Sequence, residues 1–419
     1  MELWKRNLYI LWFTQILSLS GFGFGLPFIP FYMQELGVTD PEQLQLLVGI
    51  NAALPAVLMG IMALVWGRLS DQFGRKPMVL RALFSGFLII GGMGLAQNVE
   101  TILVLRAAQG LLTGTMVAAT TLVAAGTPRN RLSFALGFIS SSNFIGFSFG
   151  PFLGGFAAEF FGYRTSFFIG GSILFVAFVL VLFFIKEPSR DAEEIDEKGA
   201  IGGDTNEGRN GGEEDFSLKN IFRGSLLLIL FLVFLMRFVR SFAQPFFPLY
   251  VQEILGRLEG ASMNTGIITG LAGLATALAG ITLGRLGDKF DKMKLISIYL
   301  VMGAMVALPL FYTRSLIFFA VFLIVTRYFL GGVEPLLLSV LGVNTPPEKR
   351  GIVFGIQTFA GSMGWFFAPM VGSSISIGLG IRYVFLFHCL GIAFAFLVIL
   401  LFRQENAIKR AMKRLRAWR

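Results

Sequence analysis

Five charged side chains interrupt stretches that are otherwise apolar: Arg106, Arg237, Arg240, Arg327 and Glu334. Glu334 is the only acid set deep in such a stretch, seven residues after Arg327, about two turns along one helical face. A carboxyl of this kind can bind and release a proton, because burial favours its neutral form and neighbouring arginines its ionised form. It can equally serve only to neutralise Arg327. Arg237 and Arg240, three apart, share one helical face. Four arginines against one acid leave a formal charge of +3, which disfavours a cationic ligand and suits an anionic or zwitterionic one. The other reading of Arg237 and Arg240 is that they pair with Glu334 or meet water. An arginine at such depth is costly in a membrane, so Arg106 requires a partner, a neighbouring helix or water.

Uncharged groups could complete a binding surface. Asn143, Gln357 and Trp365, with Gln15 and Asn51, offer hydrogen bonding and stacking, although each by itself is also explained by helix packing. Glu35 is the second choice for a proton site. It lies with Glu159 and Glu253 near segment ends, where a solvated rim position is the simpler reading. A single histidine (His388) and a single cysteine (Cys389) leave no metal site, internal disulfide or Ser-His nucleophile. No Walker A pattern occurs, so neither a nucleotide nor another cofactor is expected, and an enzyme finds no support.

These residues need elements to hold them, and composition says which. Of 419 residues, 55% are hydrophobic and only 14% charged, against about a quarter charged in soluble domains. That excludes a soluble enzyme, a secreted disulfide scaffold and a disordered chain. A bilayer span needs about 20 apolar residues in a helix. Twelve such segments are predicted: 8–33, 45–66, 78–97, 101–125, 134–158, 163–185, 221–250, 264–284, 295–313, 315–341, 351–376 and 383–402. The first reads as a span rather than a cleaved leader. The domains expected are a six-helix bundle over 1–185, a polar Gly-rich linker over 186–219, a second bundle over 220–402 and a basic tail over 403–419. Net charge is +10, and 27 of the 35 Lys and Arg fall on one side of these spans, with 4 on the other and 4 within. By the positive-inside rule that side, with both termini and the linker, is cytoplasmic. In the tail, Ile408, Met412, Leu415 and Trp418 recur three or four apart among basic residues. Such a helix suits anionic lipid; no motif supports nucleic acid.

The two halves repeat. Pro27, Pro30 and Tyr32 recur as Pro245, Pro248 and Tyr250, Pro151 as Pro369 and Gly162 as Gly380, all 218 apart. Parallel repeats of six helices place a binding site at their interface. Three motifs stand in this frame. Gly67-RLS-Asp71-QF-Gly74-Arg75-Lys76-Pro77 follows the second span and recurs in part as Gly284-RLG-Asp288. Arg106-AAQG lies in the fourth span. Gly146-FSF-Gly150-Pro151-FL-Gly154-Gly155 lies in the fifth, where glycines four apart allow close helix approach and Pro151 permits a kink.

With these motifs the chain resembles, over nearly its whole length, the major facilitator superfamily, and within it the twelve-helix bacterial drug:proton antiporters. The resemblance implies an all-α integral membrane protein: twelve transmembrane helices in two pseudo-symmetric six-helix bundles. It implies a proton-coupled exporter of drugs or small amphipathic molecules in the cytoplasmic membrane, driven by the proton gradient and expected to be a monomer. It makes Gly67, Asp71, Gly74, Arg75 and Lys76 a gating loop, with Gly284 and Asp288 as a weaker second copy. It gives Arg106 the task of tuning a nearby acid, and makes the Gly146–Gly155 pattern an antiporter signature. Glu334, Arg106, Arg327 and Glu35 are then the proton-coupling candidates, and Arg237, Arg240, Glu334, Asn143, Gln357 and Trp365 the substrate-binding ones. Arg237 and Arg240 depart from an exporter of lipophilic cations and keep open an exporter or flippase of an anionic metabolite or lipid. A non-transporting sensor is the more distant alternative.

Overall fold

A computed structural model describes residues 2–128, 131–187, 225–345 and 350–417. The described residues are helical apart from short connections, as expected where lipid offers the backbone no hydrogen bonds. In chain order the helices are α1 (Leu3–Gly25), α2 (Ile29–Glu35), α3 (Pro41–Phe73), α4 (Arg75–Met93), α5 (Val99–Leu112), α6 (Thr115–Gly126), α7 (Leu132–Phe161) and α8 (Tyr163–Phe184). There follow α9 (Ser225–Ala243), α10 (Phe247–Leu255), α11 (Ala261–Lys289), α12 (Lys292–Ala307), α13 (Pro309–Tyr312), α14 (Leu316–Gly331), α15 (Val333–Val343), α16 (Arg350–Leu379) and α17 (Ile381–Ala417).

Eleven helical segments among the described residues are long and apolar enough to cross a bilayer. The remaining predicted span, 351–376, is α16, which has 30 residues. Its glycines, serines and Gln357 dilute its hydropathy, so it meets the length requirement more clearly than the apolar one. The first and seventh spans are each broken near the paired prolines. Pro27 falls in a 3₁₀ turn between α1 and α2, Pro245 falls between α9 and α10, and Pro30 and Pro248 sit in the first turns of α2 and α10. Proline lacks the N–H that a helix interior needs but fits a first turn. Beside these breaks Tyr32 and Tyr250, both fully buried, fill equivalent positions.

The described residues of Met1–Leu26 and Leu58–Phe222 form one compact unit, and those of Pro27–Val57 and Arg223–Arg419 another. In the first, α1 lies directly on α7. A Cβ on Gly150 would stand 2.8 Å from Ser20 Cα, and one on Gly154 would stand 2.5 Å from Phe24 Cα. In the second, α9 lies on α16 in the same manner, with a Cβ on Gly364 2.8 Å from the Phe234 carbonyl and one on Gly372 2.8 Å from that of Phe242. Without side chains at these points the backbones meet at van der Waals distance, the usual basis of helix association in lipid. Within the second unit, Gln34 and Gln252 exchange two amide hydrogen bonds of 2.9 Å each. The linker from 188 onward lies outside the described residues, as do the side chains of the basic tail, whose backbone continues α17 to Ala417.

Candidate functional site

Two spans are interrupted at matching places. Between α5 and α6 the chain passes through Gly114 at φ +121°, a conformation that L side chains rarely adopt. Between α14 and α15 it turns at Gly332, 218 residues later. There the glycines serve packing: a Cβ on Gly331 would stand 2.8 Å from Thr276 Cα, and one on Gly332 would stand 2.9 Å from the Ala279 carbonyl. Interrupted helices at corresponding points of two repeats expose backbone ends inside a membrane, and such ends are where transporters bind ligands and ions.

Each break is stitched to the first helix of its own repeat. In the first unit, Gln15 donates from Nε2 to the Thr115 carbonyl at 2.9 Å, and the Ser18 hydroxyl donates to Thr115 Oγ1 at 3.1 Å. Arg106 donates from Nη1 to Gln109 Oε1 at 2.7 Å, so the second motif closes partly on itself. In the second unit the stitch is ionic. Arg237 Nε donates to Glu334 Oε1 at 2.7 Å, with both side chains largely buried. Glu334 stands in the first turn of α15, where the unpaired N–H groups and helix dipole favour an anion. The Arg237 guanidinium also lies 5.0 Å from the ring centre of the exposed Trp365. Gly361 leaves it room, since a Cβ there would collide with Arg237 Nη1.

This geometry chooses between the two pairings that the sequence left open. Arg327 and Glu334 were expected on one continuous helical face, but the turn at Gly332 ends that helix and no ion pair joins them. Arg327 lies half-buried on α14. Neither Arg240 nor Arg327 has a carboxylate partner among the described residues. His388 is buried with Nδ1 2.8 Å from the Val239 carbonyl. Gln357 is buried with an unpartnered Nε2, Asn143 is half-buried on α7, and Glu35 is exposed at the end of α2.

The glycine-rich loop also differs from expectation. The motif places Gly67 in a loop after the second span, yet it lies within α3, and nothing stands within 4 Å of a Cβ placed there. The same holds for Gly284 in α11, and Asp288 is exposed in that helix. With 33 residues α3 is about 50 Å long and carries the motif beyond the apolar layer. The turn is made by Gly74 alone, at φ +97°. Its opening receives Glu187, whose carboxylate accepts from the backbone N–H of Arg75 at 2.7 Å and of Lys76 at 2.8 Å. Lys76 Nζ donates to the Leu182 carbonyl at 2.9 Å. In the second copy Asp291 caps α12 from its own chain position, accepting from Lys294 N–H at 2.7 Å. The side chain of Asp71 lies outside the described residues.

Of the antiporter-like stripe, Gly146, Gly150, Pro151 and Gly154 all face α1, and Gly155 is buried. Three features escaped sequence reading. Gly372 completes the stripe of the second half and was legible at the repeat offset. The Gln34–Gln252 pair was legible in the same way. Glu187 carried no signal, because it sits among the charges of an apparent linker.

The sequence profile of the Major Facilitator Superfamily matches residues 11–257 and again 226–416. The chain belongs to the major facilitator superfamily. Among named members it is 32% identical over 388 residues to the multidrug resistance protein MdtG of Dickeya zeae (strain Ech586), covering 91% of each chain. It is 32% identical over 376 residues to the multi-drug resistance efflux pump PmrA homolog of Lactococcus lactis subsp. lactis (strain IL1403), covering 89% of each. Solved superfamily folds agree. The human organic anion transporter MFSD10 (TETRAN) superposes with a TM-score of 0.65 at 18% identity, covering 95% of this chain and 100% of that one. A bacterial homolog of the human lysosomal transporter Spinster, inward-facing and occupied, gives 0.73 at 15% identity, covering 95% and 96%. As a superfamily member the protein is a multi-pass membrane transporter, not an enzyme.

Proposed function

We propose that the protein is a proton-coupled exporter of drugs or other small amphipathic molecules across the cytoplasmic membrane, with both termini and the linker inside. The observation that carries this reading is the Arg237–Glu334 ion pair at the α14–α15 break. Protonation of Glu334 discharges the carboxylate and removes the ionic partner of Arg237, so proton binding and rearrangement of α9 against α15 are one event. Protons move inward down their gradient while substrate moves out. The names of the relatives in Dickeya zeae and Lactococcus lactis support export of several drugs. Arg106, Arg327 and Glu35 remain candidates for adjusting or replacing the proton site, the loop around Asp71 for gating, and the basic tail for contact with anionic lipid. A monomer is sufficient for this cycle.

The test is flux in proteoliposomes under an imposed proton gradient, with a lipophilic cationic dye and Glu334→Gln beside the parent. Gradient-dependent dye movement that falls at least tenfold in the variant supports the reading. Gradient-driven movement that survives the substitution overturns Glu334 as carrier and turns attention to Glu35.

A second reading has its own observation. Arg240 and Arg327, both set within spans, have no carboxylate partner among the described residues. Two guanidinium groups without a carboxylate partner suit an anionic or zwitterionic substrate, whether metabolite or lipid. Arg240→Ala then lowers anion flux and spares a cationic dye. The opposite pattern excludes the anion reading.

A further inference from the structure

Arg81 lies in α4 six residues past Arg75, about 9 Å along the helix. Its guanidinium carbon stands 3.4 Å from the ring centre of Trp66, on α3. Trp66 is itself fixed, since its indole N–H donates to the Leu111 carbonyl at 2.7 Å. That carbonyl lies at the end of α5, where the break at Gly114 deprives it of its regular helical N–H donor. Three helices of one compact unit thus hold one aromatic platform with one cation on it.

The cation is not satisfied. Nε and Nη1 of Arg81 are buried and have no hydrogen-bond partner. No carboxylate pairs with Arg81 among the described residues. Buried donors of a charged group are ordinarily paired, because leaving them unpaired in low dielectric is among the costliest arrangements a fold can keep. Stacking on Trp66 supplies cation–π attraction to one face but fills no N–H. What the site lacks is an acceptor bearing negative charge. Arg81 sits within two turns of the start of α4, where Arg75 and Lys76 add positive charge of the kind that attracts anionic headgroups.

We propose that Arg81 on Trp66 is a binding site for one anionic oxygen group, a phosphate or carboxylate, carried by a lipid headgroup or by a free anion. It is separate from the Arg237–Glu334 pair, which belongs to the other compact unit, and does not depend on the direction of transport or on proton coupling. The stacked, pre-oriented guanidinium supplies charge-assisted donors, and Trp66 selects arginine over lysine by its flat face.

The experiment uses the full-length protein purified in a neutral detergent. Native mass spectrometry compares retention of phosphatidylglycerol and phosphatidylcholine, and tryptophan fluorescence is titrated with inorganic phosphate. Both are run on the parent, Arg81→Gln, Arg81→Lys and Trp66→Phe. The expected result is a preference for phosphatidylglycerol that falls about tenfold in Arg81→Gln, as loss of a charge-assisted hydrogen bond implies, with Arg81→Lys intermediate. This outcome identifies a lipid headgroup. A phosphate-dependent fluorescence change in the parent that is lost in Arg81→Gln and Trp66→Phe identifies a free anion and also supports the site. Equal retention of both lipids with no response to phosphate overturns the proposal, as does an Arg81→Gln variant indistinguishable from the parent. Should Arg81→Gln fail to fold, Arg81→Lys and Trp66→Phe, checked by elution and melting, carry the comparison; parent-like behaviour in both overturns it.

Discussion

Arg237 and Glu334 meet at 2.7 Å across two helices, and the positions that correspond to them in the first repeat are Leu19 and Met116. The second unit therefore carries a charge pair where the first carries an apolar one. In the first unit the equivalent junction is held by Gln15 and Ser18 on Thr115, groups with no charge to lose. The repeat shares its scaffold between halves and confines this titratable contact to one of them.

Replacing both members of the pair by their first-repeat counterparts separates stability from transport. Arg237→Leu alone leaves a largely buried carboxylate unpaired and costs about 3 kcal/mol. Glu334→Met alone leaves the guanidinium and costs a similar amount. The double variant melts within a few degrees of the parent, yet proton-driven flux is lost. Thermal melting and proteoliposome flux on the same preparations check both halves of the expectation.

Gly154→Ala destabilises the protein, because the new Cβ would stand 2.5 Å from Phe24 Cα and backbone must move. Overpacking of this kind costs about 1–3 kcal/mol. Gly67→Ala, with nothing within 4 Å and ordinary helical surroundings, leaves the melting temperature unchanged or slightly raised. Equal losses in the two variants would contradict the packing described for α1 and α7.

Glu187→Ala uncaps α4. The backbone amides of Arg75 and Lys76 lose their acceptors, and a lost cap costs about 1 kcal/mol. Hydrogen exchange at these two amides should rise about fivefold, in line with that energy, while exchange in α12, capped by Asp291, stays as it was. Glu187→Gln retains a carbonyl acceptor and should fall between.

Gln34 and Gln252 should be strongly coupled. Either single alanine variant leaves one amide without its partner, and a half-buried amide so stranded costs about 1–2 kcal/mol. The double variant costs little more than either single one, giving a coupling of about 1 kcal/mol in a double-mutant cycle. Additive losses measured by melting would show that the two amides act independently.

Fold class was legible because lipid imposes its demands on composition directly. Long apolar runs must be helices, and a constant offset of 218 between prolines and glycines must be a structural repeat. The glycines of the fifth span announced close packing, whereas the prolines at 27, 30, 245 and 248, read only as marks of the repeat, also break the first and seventh spans. The partner of Glu334 was legible only as one of two alternatives, Arg327 or a member of the Arg237–Arg240 pair. Spacing within one segment pointed to Arg327, and a single turn at Gly332 redirected the carboxylate to Arg237, 97 residues away. Gly67 misled in the opposite sense, since a glycine in a motif need not bend the chain.

Composition and periodicity, then, by themselves determined the membrane-spanning helices, the repeat and the inventory of charges inside it. They are local or one-dimensional properties, enforced by solvent and by the helix. Which charge meets which, that Glu187 caps α4, and that Arg81 rests on Trp66 were decided only by tertiary structure. Such contacts join residues on different helices, so a small change in helix phase or one break in a helix changes every partner while leaving hydropathy untouched.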